Sequence, residues 1–321
     1  MTDRLARYTR LSNGLAQLDS RELDALVTGG PANGWGASQP ALLGDAPIFV
    51  KRIPLTEEEY EHLYSTKNRF RLPLYYQYGV GSAPEISPDS WIAGDDYVKY
   101  WNGSKRIGAF IQARARAPYE IWLVLEHVPH VMHEWMADHG DDAAGMVDQL
   151  LSTVAFLRSQ GVTHFDAHYG NVVTDGTTAF LTDYGLVNDR AFHLSADERT
   201  FLDRHRHYDY GEVLYSIGSV LLGLLGKVPA EGRGPFLRRY RPEGPLDQNI
   251  AFELMVTHAA AIAADSDLGV TPAFAALVTR FRDVILFMHT FFVALRANRR
   301  KNNFFDDDHL RGLLVAAGVS L

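Results

Sequence analysis

The chain has 321 residues, 46% of them hydrophobic and 22% charged, which is enough apolar material to bury substantial cores. A formal net charge of -8 argues against nonspecific nucleic-acid binding as the main task, because the 31 Lys and Arg are dispersed rather than gathered on one surface. Zero cysteines exclude disulfides, cysteine nucleophiles and cysteine-based zinc sites, and the absence of a basic, apolar and cleavable leader sets the expectation of a reducing, cytoplasmic setting.

In chain order, residues 23–27 read as a strand and residues 29–38 as a glycine-rich loop containing Gly29, Gly30, Gly34 and Gly36. A second strand is expected near residues 39–43, then a Gly44-Asp45 turn, then a third strand over residues 48–53 that carries Lys51 late in its course. Thr56 is placed to cap a helix, with Glu59 three residues on as its capping-box partner. Glu57 and Glu61 lie one turn apart near the Tyr60/Leu63/Tyr64 stripe. Residues 82–96 are rich in Pro, Ser, Gly and Asp without periodicity and are expected to form an inserted loop. Residues 107–112 and 119–125 are expected as paired strands, the second running into Glu126, His127, Val128 and Pro129. A short helix over residues 131–138 and a longer one over residues 146–159 follow, the latter with Val147, Leu150, Leu151, Val154 and Leu157 on one face and a Gly161 stop.

That second helix delivers the chain into His164-Phe165-Asp166-Ala167-His168-Tyr169-Gly170-Asn171, and Asp183-Tyr184-Gly185 follows shortly after. Val172-Val173 and residues 179–182 flank a Thr174-Asp175-Gly176-Thr177 turn, so a hairpin can present the two motifs side by side. The pattern offers one carboxylate for a hydroxyl proton, and an amide with a second carboxylate for a metal, the parts that phosphoryl transfer from Mg-ATP uses. The plain structural reading is a turn held by its own Asp and Asn side chains, with His164 packed and hydrogen-bonded. His164 and His168 lack the spacing of a metal cluster.

These residues resemble the catalytic and metal-binding loops of the protein-kinase-like superfamily, which includes protein kinases, aminoglycoside phosphotransferases and choline kinases. The resemblance implies an α+β fold of two lobes: residues 1–126 as a small antiparallel-sheet nucleotide-binding lobe and residues 127–321 as a mainly helical catalytic lobe. It implies Asp166 as catalytic base, Asn171 and Asp183 as ligands of Mg2+ (Mn2+ could substitute), and Lys51 as the residue contacting the phosphates of ATP. Gly29, Gly30, Gly34 and Gly36 would cover those phosphates, Glu61 would pair with Lys51, and Glu126, His127 and Val128 would form an adenine-binding hinge. The helix beginning at Asp209 would brace the catalytic loop. If Ser216-Ile217-Gly218 is matched to the family's serine-x-glycine, however, Val213 stands where the bracing aspartate is expected, and Asp209 lies one turn earlier on the same face.

The partners implied are ATP and a hydroxyl-bearing acceptor, without nucleic acid or membrane insertion. The short interval from Glu126 to Asp166 and the Ser216-Ile217-Gly218 helix favour a protein serine or threonine. The missing Ala-Pro-Glu, the short segment after Asp183, and His168 in place of a lysine favour a small molecule instead. A protein acceptor is the preferred expectation; a small-molecule kinase and a catalytically silent scaffold are the alternatives. Residues 204–207 form either an anion-contact patch or a solvated helix entrance, residues 296–301 a solvated helix end, and residues 213–225 and 284–295 core helices too short or interrupted to span a bilayer.

Overall fold

The computed structural model describes residues 37–43, 46–59, 77–82, 103, 105–265, 268–297 and 304–321. The chain is α+β and divides between His127 and Val128 into two compact units. The expected strand at residues 23–27, the glycine-rich loop with Gly29, Gly30, Gly34 and Gly36, and Glu61 lie outside the described residues.

In the first unit, β1 (Ala37–Leu43), β2 (Ala46–Leu55), β3 (Gln77–Ser82) and β4 (Tyr119–Glu126) form an antiparallel sheet in the order β1-β2-β4-β3. Ile48 and Val50 of β2 are buried on one face while Phe49 and Lys51 are half-buried on the other, the alternation that a pleated strand imposes. The register sets Lys51 opposite Ser38 on one side and Leu123 on the other, so it lies on an interior strand and is not an edge lysine. After β2, Thr56 caps residues 57–59 as expected: its N–H donates to Glu59 Oε2 at 2.9 Å, and the Glu59 N–H donates to Thr56 Oγ1 at 3.3 Å.

Two expectations for this unit are corrected. Residues 107–112 are not a strand but part of helix α1 (Lys105–Ala115). The segment is built from strong helix formers, and Ile107, Phe110, Ile111 and Arg114 recur at helical spacing, which outweighs the β-propensity of its two isoleucines. Arg114 lies over the Phe110 ring at 4.8 Å and donates to Glu59 Oε1 at 2.8 Å. The partner expected of residues 107–112 is supplied by β3, which ends at Ser82; the rest of the expected inserted loop, residues 83–96, lies outside the described residues. Gly79 and Gly81 had masked that strand, because glycine depresses strand propensity and leaves no alternation to read.

The second unit is mainly helical. Its elements are β5 (His130–Val131), α2 (Met132–Asp138), α3 (Ala143–Ser159), β6 (Val162–Thr163), β7 (Val172–Thr174), β8 (Ala179–Leu181), β9 (Asn188–Asp189), α4 (Ala196–Asp203), α5 (Tyr208–Gly226), α6 (Ala230–Arg238), α7 (Gln248–Thr257), α8 (Ala259–Asp265), α9 (Pro272–Ala297) and α10 (Asp307–Ala316). Helix α5 is buried along most of its length and packs against α2, α3, α7 and α9. Gly218 makes the approach of α7 and α9 possible: a Cβ there would collide with Phe252 and come within 2.8 Å of Ile285. Among the described residues no single helix is long and apolar enough to cross a membrane.

The start of α5 is anchored from the far end of the chain. The backbone N–H of His207 donates to Asp307 Oδ1 at 2.8 Å, and its ring Nδ1 lies 2.8 Å from Asp307 Oδ2. Arg206 pairs with Asp203 at 3.2 Å, and His205 stacks on Phe305 at 4.9 Å. Within residues 204–207, His207 and His205 are thus packed into the entrance of α5, while Arg204 and Arg206 stay exposed.

His289 of α9 is 2% exposed and stacks on Phe252 at 4.2 Å. Burial, and secondarily the charge of Arg296, holds its pKa below the ordinary histidine value. The unfolded chain therefore binds a proton at this position at a higher pH than the folded chain does, and acidification through about 6.5 favours unfolding. We expect His289→Phe to be increasingly stabilised relative to the parent as pH falls from 8 to 5. Urea unfolding at the two pH values measures this; a stability difference independent of pH would refute it. His133 and His205, also shifted downward mainly by burial, remain in both proteins and cancel.

Candidate functional site

The loop from His164 to Asn171 is built around an otherwise apolar helix that carries Asp209, Glu212 and Ser216 at positions i, i+3 and i+7, along one face. Asp209 Oδ2 accepts from the N–H of His164 at 2.7 Å and Oδ1 from that of Phe165 at 2.9 Å. Glu212 Oε2 accepts from the N–H of Ala167 at 2.6 Å, and Ser216 Oγ accepts from that of Tyr169 at 3.3 Å. Asp209 thus takes the bracing position although Val213 occupies the spacing expected for it. Glu212 is a second bracing residue, which the sequence reading missed. An isolated acid inside an apolar helix was its only visible signal, since buried acids are rare unless partnered.

Burying these acids shifts them. Burial raises the Asp209 pKa against the lowering effect of its two N–H bonds, and Glu212 is pushed well above the usual carboxylate range by burial and by the nearby Asp209 and Asp166 carboxylates. The brace also holds Phe165 at φ 61, a left-handed conformation that costs a bulky side chain about 1–3 kcal/mol.

His164 is fully buried. Its Nε2 lies 2.9 Å from the Thr182 carbonyl and must donate to it, which leaves Nδ1 to accept the N–H of Asp166 at 3.3 Å. It is a support that ties the loop to the strand carrying the second motif.

Asp166 is held by its neighbours. Asn171 Nδ2 donates to the Asp166 carbonyl at 2.9 Å and to its Oδ2 at 2.8 Å. The other oxygen, Oδ1, lies 3.5 Å from Nε2 of the exposed His168, whose Nδ1 accepts from Gly170 N–H at 3.0 Å. With both amide protons of Asn171 engaged, its Oδ1 is the oxygen left for a ligand. The Asn171 carbonyl accepts from both N–H and Oγ1 of Thr182 at 2.8 Å, which sets Asn171 beside the residue preceding Asp183. Asp183 is exposed and left-handed at φ 57, ψ 65, and the Tyr184 ring meets His164 edge-on at 4.8 Å.

The two motifs are joined by the β7–β8 hairpin, in which Val172 faces Leu181 and Thr174 faces Ala179. Gly176 at φ +90 and Asp175 Oδ1, accepting from Thr177 and Thr178 N–H, form the turn. Gln149 of α3 holds it from the side, donating to Thr177 O and accepting from Ala179 N–H, both at 3.0 Å.

The structure thus brings Asp166, Asn171 and Asp183 onto one loop-and-hairpin assembly of the second unit. Lys51, Glu126 and His127 belong to the first unit, where His127 N–H donates to Pro47 O at 3.5 Å, and Val128 opens the second. Glu59, the capping acid after β2, is paired to Arg114 at 2.8 Å. Asn171 Oδ1 and the Asp183 carboxylate are hard oxygen donors of the kind that Mg2+ takes alongside substrate phosphates, so the residues fit that ion.

Glu212 yields a test. Glu212→Gln keeps an oxygen for the Ala167 N–H and removes a charge that the buried site disfavours, so its stability at pH 7 should equal or exceed the parent's. Glu212→Leu leaves that N–H unsatisfied and should lose roughly 1–3 kcal/mol in urea unfolding. Equal stabilities of the Gln and Leu variants would show that the bond contributes nothing.

Comparison with models of known protein families finds none that matches this chain, and comparison with curated protein sequences likewise finds no match.

Proposed function

We propose that the protein is a phosphotransferase of protein-kinase-like, two-lobed architecture that moves the γ-phosphoryl group of Mg-ATP to a hydroxyl. The observation that carries this reading is the coupling of Asp166 to Asn171 by two hydrogen bonds, with the Asn171 carbonyl tied to the residue beside Asp183. Asp166 keeps its carboxylate at a fixed place by accepting from Asn171 on one oxygen, and its second oxygen, 3.5 Å from His168 Nε2, would take the acceptor's proton. Asn171 Oδ1 and Asp183 would hold the magnesium ion, which when bound neutralises charge on the transferring phosphates. Lys51 would contact the phosphates; the stretch bearing Gly29, Gly30, Gly34 and Gly36 would cover them, with Glu61 as the partner of Lys51. Glu126, His127 and Val128 would offer backbone groups to the adenine. Phosphoryl transfer proceeds through a loose transition state, so positioning and charge neutralisation dominate and the protein has little covalent work to do.

Release of ADP from ATP, measured with and without Mg2+, tests the reading. Asp183→Asn preserves shape but removes the charge, and is expected to abolish magnesium-dependent turnover while leaving the melting temperature within a few degrees. Wild-type turnover by this variant at limiting magnesium would remove Asp183 from the metal site.

Asp166→Asn is expected to lower turnover by roughly 10²- to 10⁴-fold, the range for a positioned general base, with nucleotide affinity little changed. Unaltered turnover where chemistry limits the rate would dismiss the base assignment.

A further inference from the structure

His168 stands on the loop between Asp166 and Asn171, at the head of the short turn Tyr169–Asn171, with its side chain 47% exposed. Its ring is not free to choose a tautomer. Nδ1 accepts from the Gly170 N–H at 3.0 Å, and a backbone N–H can only donate, so Nδ1 is bare and the hydrogen of the neutral imidazole sits on Nε2. Nε2 in turn lies 3.5 Å from Asp166 Oδ1. The loop backbone thereby sets which edge of the ring carries the hydrogen, and that edge is the one beside the carboxylate.

Gly170 makes room for the ring as well as holding it. A Cβ at this position would stand 2.7 Å from His168 Cε1 and 2.9 Å from Nδ1, closer than such atoms approach, so the ring would have to move. The Gly170 backbone is not left-handed and would itself accept an L side chain. What calls for glycine here is the imidazole.

The consequence for Asp166 follows from its two oxygens. Oδ2 accepts from Asn171 Nδ2 at 2.8 Å, which anchors one end of the carboxylate but leaves Oδ1 able to swing about it. A second polar group beside Oδ1 sets the plane. At 3.5 Å the Nε2–H exerts a charge–dipole attraction and not a full hydrogen bond, so it directs Oδ1 while leaving the lone pairs of that oxygen to an incoming hydroxyl. The ring itself has no site for the hydroxyl proton, because Nδ1 is engaged by Gly170 and Nε2 carries its own hydrogen.

Resting on the phosphotransferase reading above, we infer that His168 is a positioning residue for that reaction: held in one tautomer and one place by Gly170, its Nε2–H sets the direction in which Asp166 Oδ1 meets the acceptor's O–H.

The test has a spectroscopic and a kinetic arm, both on the full chain at about pH 8, where an ordinary histidine is neutral. In a proton–nitrogen correlation spectrum of histidine-labelled protein, the His168 signals are identified by their loss in His168→Ala. They are expected to show Nε2 protonated and Nδ1 bare in the parent, and a mixture of tautomers in Gly170→Ala. A parent ring protonated on Nδ1 would overturn the inference without reference to activity.

In the kinetic arm, magnesium-dependent release of ADP from ATP is followed with enzyme in excess, so that slow variants are resolved. We expect His168→Ala to lower the rate roughly 10- to 10²-fold, the scale of a small misplacement of a reacting group, with ATP affinity unchanged. Gly170→Ala should lower it in the same direction, and should cost nothing more once the ring has been removed by His168→Ala. In an Asp166→Asn background His168→Ala should have no further effect, because the group it positions is gone. An unchanged rate in His168→Ala would overturn the positioning role. So would a loss that persists in full in Asp166→Asn or comes with weakened ATP affinity, since His168 would then act on the phosphates and not through Asp166. Melting curves check folding, and if Gly170→Ala fails to fold, His168→Ala with and without Asp166→Asn decides the matter. If the parent releases no ADP with Mg2+ present, the phosphotransferase reading fails and takes the positioning role with it, while the spectrum still reports whether Gly170 holds the ring.

Discussion

The second unit depends on one arrangement: a buried aspartate accepting two consecutive backbone N–H groups. The Asp209 carboxylate is stranded inside an apolar helix, and the N–H groups of His164 and Phe165 point inward with no strand to pair with. Each satisfies the other at 2.7 and 2.9 Å. Either set of groups left alone in this interior would cost several kcal/mol, so the loop has few other conformations compatible with the folded helix. Glu212 and Ser216 extend the same logic to Ala167 and Tyr169, and the turn that carries Asp166 is set by the core.

Helix α5 therefore serves two masters. Its apolar faces fill the space between α2, α3, α7 and α9, with Gly218 permitting close approach, while its polar stripe fixes a surface loop. His207 and Asp307 fasten its first turn to α10, so the C-terminal segment contributes to the position of the helix that braces the loop. A change in any of these elements reaches Asp166 through α5, and the Asp209, Glu212 and Ser216 side chains are tolerated inside a core helix because each has a backbone N–H as partner.

Much of this was legible in the sequence, and the exceptions have physical causes. The Thr56 cap, the strand with Lys51, helix α3 with its Gly161 stop, the β7–β8 hairpin and the long buried helix from Tyr208 all carry local signals: a cap, a period, a breaker. Helix α1 was misread because two isoleucines outweighed a helical spacing that was present. Strand β3 left no signal because glycines occupy the positions where an alternation would appear. Glu212 was hidden for a different reason. Its meaning comes from α5 and the loop from His164 to Asn171 meeting in space, and no local period records such a meeting. The Asp209 brace was half-visible, as an acid on the right face but one turn from the expected place.

Gln149 gives the hairpin a property that turns seldom have. The tip of a two-stranded ribbon is ordinarily where extra residues enter at little cost. Here the amide of a core helix grips the β8 side of the turn, at the Thr177 carbonyl and the Ala179 N–H, and fixes where that strand begins. A lengthened tip would lose that fit or push β8 out of register with β7, and a slip of one residue would send the Asp183 side chain to the opposite face. Related chains that preserve the distance between Asn171 and Asp183 should thus vary in the chemistry of this turn while keeping its length constant.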